Sequence, residues 1–138
     1  MINGVVLGKL RKLDVVLDEL KSLGSLTEER LGAEWILRRA VERDLQLGVE
    51  ILLDVCHRLL ALLGQSPAAT SREALEACVR LGILEELEPY GRMVGFRNMI
   101  VHRYDHIESS ILVDVVNNHL QDFERFRDEV MSYVSQSS

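Results

Sequence analysis

Between Arg92 and His106 the chain reads R-M-V-G-F-R-N-M-I-V-H-R-Y-D-H, with three arginines and two histidines against one acid, Asp105. Arg97 offers a planar, permanently charged fork that fits a phosphate. His102 carries the one kind of side chain that both takes and gives a proton near neutral pH. A guanidinium to hold charge on phosphorus, beside an imidazole to move a proton, is the minimum equipment for cutting RNA without a metal. The 2′-hydroxyl loses its proton, attacks the adjacent phosphate and expels the 5′-oxygen. On a regular helix, positions five apart point about 140° away from each other, whereas Asn98 and His102, four apart, share a face. The helix that carries them is therefore expected to end or distort near His102, or a second subunit to complete the site. Asn98 becomes a candidate for orienting the imidazole or holding the phosphate. Stability alone supplies a competing explanation, because His102, Arg103 and His106 also suit the negative end of a helix dipole. A metal on His102 and His106 has no H-E-x-x-H or cysteine pair to support it, so no metal or other cofactor is expected.

The elements that must position these residues are helical. At 138 residues the chain is one domain, expected over 1–138 with 135–138 as a frayed tail. Its 47% apolar and 28% charged residues exclude disorder, and its 5% aromatics, dominant leucine and two prolines favour helix-on-helix packing over a β sandwich. The net charge of −6 argues against a protein that coats nucleic acid, and makes the Arg92–His106 stretch a local reversal of sign. Cys56 and Cys78 form no C-x-x-C and lie among apolar residues, which predicts buried free thiols in a reducing compartment. Neither a signal-peptide pattern at Met1–Leu10 nor an apolar run of bilayer length is seen, so a cytoplasmic protein without membrane contact is expected.

Val6, Leu10, Leu13, Leu17, Leu20 and Leu23 recur at helical spacing, and Gly24 closes that helix. Ser25–Glu28 (S-L-T-E) reads as a capping box before a short helical turn. A long helix over about Ala33–Leu63 places Leu37, Val41, Leu45, Gly48, Leu52, Val55, Cys56, Leu59 and Leu63 on one side. Opposite them, Arg43, Gln46, Glu50, Asp54 and His57 form a stripe that is either solvated or turned to a partner or site. Thr70–Glu73 (T-S-R-E) is a second box, opening a helix that ends near Gly82, and Ile83–Glu88 is a separate turn because Pro89 resists a helix interior. A helix from near Pro89 to about Val101 or His102 follows. Leu112, Val116, Leu120, Phe123, Phe126, Val130 and Val134 then predict one last helix. The fold class is all-α, an antiparallel four-helix bundle with one or two short extra helices.

Arg97-Asn98 followed by His102 and Tyr104 reproduces the R-x-x-x-x-H-x-Y pattern of the HepT-like branch of the HEPN superfamily. The flanks V-G-F-R-N-M-I-V-H-R-Y-D resemble that family's signature helix end, and Ala40–His57 is similar to its long second helix. The likeness spans most of the chain. It implies a HEPN-like bundle, dimerisation that brings two Arg–His motifs to one cleft, and metal-independent endoribonuclease activity. It also implies the toxin role in a toxin–antitoxin pair whose other member is an MntA-like minimal nucleotidyltransferase. In such pairs the antitoxin transfers AMP to the motif tyrosine, here Tyr104. Added phosphate beside Arg97 and His102 would block RNA entry and neutralise the guanidinium. Pro89 departs from the pattern, since an unbroken helix is expected ahead of the motif. A second reading stays open, in which the bundle is a non-catalytic nucleotide- or partner-binding subunit of a nucleotidyltransferase; it accommodates the acidic bulk more easily.

Overall fold

The computed structural model describes residues 4–102 and 108–137, with 101, 102 and 137 described by backbone alone. Among the described residues there are seven helices and no strand: α1 (Gly4–Ser22), α2 (Glu28–Ala33), α3 (Trp35–Leu62), α4 (Ser71–Arg80), α5 (Tyr90–His102), α6 (Ser109–Asn118) and α7 (Leu120–Ser137). None of them is long and apolar enough to cross a membrane.

The four longest, α1, α3, α5 and α7, form a closed ring in which each neighbour is antiparallel to the last. Lys9 pairs with Asp54 at 3.5 Å, and Asp44 feels Glu19, so α1 and α3 run in opposite senses. Met93 and Phe96 meet Val49 at one end, while Arg38 Nη1 donates to Ser109 Oγ at 2.6 Å near the other, so α5 opposes α3. Tyr90 packs on Phe126 while Phe96 shares a groove with Phe123, which sets α5 against α7. Arg127 Nη1 to Asp14 (2.7 Å) and Lys21 to Glu124 (2.8 Å) close the ring between α7 and α1.

The core is the apolar stripe of each helix. Val6, Leu10, Leu13, Leu17 and Leu20 from α1 meet Val41, Leu45, Leu52, Val55, Cys56 and Leu59 from α3, all buried as their spacing predicts. Burying each of the larger side chains contributes about 1.5–3 kcal/mol. Leu23 and Leu37 are only half-buried and Leu63 is exposed, because they lie where their helices end or begin. On the polar stripe of α3, Arg43, Asp54 and His57 are solvated, while half-buried Gln46 donates to Glu50 at 3.1 Å. Cys56 and Cys78 are buried and free, and contact between the two thiols, then burial, pushes the Cys56 thiol up.

Three expectations need correction. Helix α2 is capped by Thr27, whose hydroxyl accepts from the Arg30 N–H at 3.1 Å, and not by Ser25. Leu26 and Leu31, both buried, bracket that cap as a hydrophobic staple, and this pair sets the register. The Asn117 side chain fixes Leu26 further, accepting from its N–H and donating to its carbonyl, each at 3.0 Å. In the second box Thr70 caps Glu73 N–H as expected, but the Glu73 carboxylate turns back to Ala69 N–H, 3.1 Å away. The last helix is two, broken at His119 after Asn117, whose side chain is held by Leu26, and Asn118, and asparagine propagates a helix poorly. Beyond the break α7 runs from Leu120 to Ser137.

Helices α3 and α7 cross at Gly48. A Cβ there would lie 2.9 Å from Phe123 Cε1, and Phe123 is itself buried. Alanine would gain about 1 kcal/mol of helix propensity but force overpacking worth about 1–3 kcal/mol. Gly48→Ala should therefore lower stability by on the order of 1 kcal/mol in a urea melt; a stabilised variant would contradict the close crossing.

Candidate active site

Helix α5 carries the Arg–His segment, and its start is held on three sides. Pro89 precedes it without needing an N–H, which suits a helix entry. The Glu88 carboxylate then accepts the free Arg92 N–H at 3.0 Å. Tyr90, fully buried, sets its ring edge-on to Phe126, with centroids 5.5 Å apart at 77°. Its hydroxyl donates to Glu129 Oε2 at 2.5 Å, and the same oxygen accepts Arg125 Nε at 2.9 Å. The other Glu129 oxygen accepts Glu85 N–H at 2.7 Å, so one carboxylate ties α7 to both the turn before α5 and its first residue. Burial, then the bond to Glu129, pushes the Tyr90 phenol far above its ordinary range, so it remains a donor.

From Tyr90 the core-facing stripe continues at i+4 and i+7. Val94 occupies the first of these positions and is buried. Arg97 occupies the second. A helix facing a core would place an apolar residue there. Instead Arg97 is half-buried, and its Nε is the one buried side-chain polar atom among the described residues without a hydrogen-bond partner. Leaving a buried donor of a charged group unsatisfied costs at least about 1–3 kcal/mol. Such a site has a standing electrostatic preference for an anion.

Asn98 follows on the exposed face. Helix α5 is described as far as His102, about 7.5 Å along the axis from Arg97. The His102 side chain and Tyr104 lie outside the described residues, as do Arg103, Asp105 and His106. Arg97 and Asn98 are thus placed, and the backbone of their helix is placed as far as His102. The antiparallel run of α5 on α3 sets the Arg97–His102 stretch beside the first half of α3.

A groove of about 250 Å³ lies on the other flank of α5, walled by Val49, Met93, Phe96 and Phe123 and rimmed by Arg92 and His119. The His119 ring nitrogens approach Asp114 at 3.1 Å and Asp122 at 3.3 Å. The sequence reading passed over this cluster. The D-x4-H-x2-D spacing was available, but a single helix through it would have pointed the three residues apart. No group of three or more His, Cys, Asp or Glu among the described residues is arranged to hold a metal ion.

The comparisons with known proteins converge. The family model described as "Ribonuclease HepT-like" matches residues 13–130. The mRNA nuclease HepT of Shewanella oneidensis is 27% identical over 99 residues, covering 70% of this chain and 74% of that protein. The tri-AMPylated HEPN toxin of Shewanella oneidensis, solved in complex with its MNT antitoxin, is similar with a TM-score of 0.85 at 22% identity, over 95% of this chain and 99% of that one. YutE of Bacillus subtilis, a cytosolic protein of unknown function, is similar with a TM-score of 0.79 at 16% identity, over 97% and 91% of the two chains. At these identities the two structures speak for the fold.

If Arg97 serves a ligand and not the fold, Arg97→Met should melt no lower than the native chain. The thioether replaces the buried stem, and the unsatisfied donor goes, for a gain of up to about 1 kcal/mol or roughly 3–5 °C. A fall of several degrees by calorimetry would make the residue structural.

Proposed function

The chain belongs to the HepT-like ribonuclease family, and from that premise we propose that it is the toxin of a toxin–antitoxin pair, an endoribonuclease that works without a metal. The observation supporting this reading is the cation on the buried stripe of α5. Arg97 stands where a core residue belongs, its Nε lacks a partner among the described residues, and the same helix carries His102.

In the proposed step His102 takes the proton of a ribose 2′-hydroxyl as that oxygen bonds to phosphorus. The bond from phosphorus to the 5′-oxygen breaks, and the leaving oxygen receives a proton from a second imidazole, supplied when two copies meet as a homodimer. The products are a 2′,3′-cyclic phosphate and a 5′-hydroxyl. Arg97 donates to the phosphoryl oxygens as their charge grows, and Asn98 orients the imidazole or steadies the phosphate. Electrostatic stabilisation suits Arg97 because its half-buried side chain already carries an Nε–H donor turned away from water.

Control is proposed to act on Tyr104, through AMP transfer by an MntA-like nucleotidyltransferase antitoxin. The Shewanella oneidensis toxin is itself tri-AMPylated and bound to its MNT antitoxin. Each nucleotide brings negative charge to the place where RNA phosphate must enter. The net charge of −6 favours a second reading, a bundle that binds a nucleotide or the transferase without cutting.

Incubation of the purified chain with tRNA and total RNA in EDTA separates the two. Cleavage that leaves cyclic phosphate ends is expected, reduced about 10²–10³-fold in Arg97→Ala and about 10²–10⁴-fold in His102→Ala. Binding without cleavage, or equal cutting by all three proteins, would reject the nuclease assignment. With the transferase and ATP, cutting should stop as AMP appears on the Tyr104 peptide, and Tyr104→Phe should escape both.

A further inference from the structure

Trp35 is the chain's one tryptophan. It opens α3 with 70% of its surface in solvent, and Ile36 beside it is 68% exposed. An indole this open is not recruited by the fold, since the first buried residue of α3 is Val41. Its place is nonetheless fixed relative to the Arg–His segment. One turn on, the Arg38–Ser109 bond joins the start of α3 to the start of α6, which follows the end of α5 in the chain. The indole therefore stands on a turn of helix tied to the start of α6, at the end of α3 toward which antiparallel α5 runs.

The charge around it favours a polyanion. Arg38, Arg39 and Arg43 share this stretch with two acids: Asp44 beside Arg43, and Glu42, which both Arg38 and Arg39 approach. The Arg39 side chain stays 63% exposed despite that pair, and Glu34 is engaged by Arg30 at 3.4 Å. An exposed aromatic face with guanidinium groups along one side is the arrangement that binds single-stranded RNA: the ring stacks on a base, and the cation meets the backbone.

We propose that Trp35 is a base-stacking platform for single-stranded RNA, holding a nucleotide that flanks the scissile phosphate while Arg39 contacts the backbone. The proposal rests on the ribonuclease reading above and adds to it the surface that receives the substrate. Recognition here is by stacking, so it tolerates any base but requires an unpaired one.

As the sole tryptophan, Trp35 reports its own contacts. The full chain carrying His102→Ala would be titrated with an uncleavable 2′-O-methyl oligonucleotide, once single-stranded and once as a duplex. Saturable quenching of tryptophan emission by the single strand and not by the duplex is expected. In the otherwise native chain, Trp35→Ala should raise KM for unstructured RNA by about 5–100-fold with little change in kcat, and Trp35→Phe should recover most of the loss. Both variants should melt as the native chain does, given the exposure of the residue. Native protein that cleaves RNA without any quenching, or Trp35→Ala with an unaltered KM, would overturn the proposal. So would emission that shifts to shorter wavelength with protein concentration alone, because the indole would then face a second copy. Quenching by RNA that is never cut would instead reject the nuclease reading and leave the platform standing.

Discussion

A guanidinium in the place of a core side chain is the constraint on which the account turns. Along the inner stripe of α5 the buried Tyr90 and Val94 lead to Arg97, where the helix repeat calls for a third hydrophobe. Replacing that hydrophobe by a cation forfeits burial energy and leaves Nε without an acceptor among the described residues. Positions that cost stability in this way are where a binding site is expected, because a missing partner inside the protein is one a ligand can supply.

The remainder of the bundle can be read as what makes that placement tolerable. The ring of four antiparallel helices buries enough leucine and valine to carry one unfavourable position. The Tyr90–Glu129–Arg125 cluster fixes the first turn of α5, so the helix cannot rotate to carry Arg97 into solvent without breaking those bonds. Glu88 satisfies the free Arg92 N–H at the same end. With one end of α5 pinned, the candidate chemistry lies toward the other, over Arg97 to His102.

Most of the architecture was legible from one-dimensional pattern, and the reasons it was not complete are local. A capping box and Gly82 bracket α4, and apolar periodicity marks α1 and α3 closely because their faces are cleanly divided. It merged α6 with α7, since Leu112, Val116, Leu120 and Phe123 keep helical spacing across a break made by the polar residues between them. The capping pattern S-L-T-E offered two hydroxyls, and the choice of Thr27 depends on Leu26 and Leu31 meeting the core, a tertiary fact. For the site, residue type and spacing point to Arg97, Asn98 and His102, and Tyr104 comes only with the family resemblance. Its rationale, that Arg97 shares a stripe with Tyr90 and Val94, needed the burial of each. Neither the Asp114–His119–Asp122 cluster nor the setting of Trp35 could be read in advance. The first depends on the helix break, and the second on a bond between Arg38 and Ser109, residues far apart in sequence.

The central claim is that the Arg97 Nε–H finds its acceptor in a phosphodiester. Two-dimensional ¹⁵N spectroscopy of the arginine Nε–H groups addresses that atom directly, in the full chain with an uncleavable 2′-O-methyl dinucleotide added. The account predicts that the Arg97 resonance moves downfield, sharpens as its solvent exchange slows, and couples to phosphorus across the new hydrogen bond. If the dinucleotide binds while the Arg97 signal stays where it was, the cation on the inner face of α5 is not the phosphate site, and the mechanism built on it is wrong.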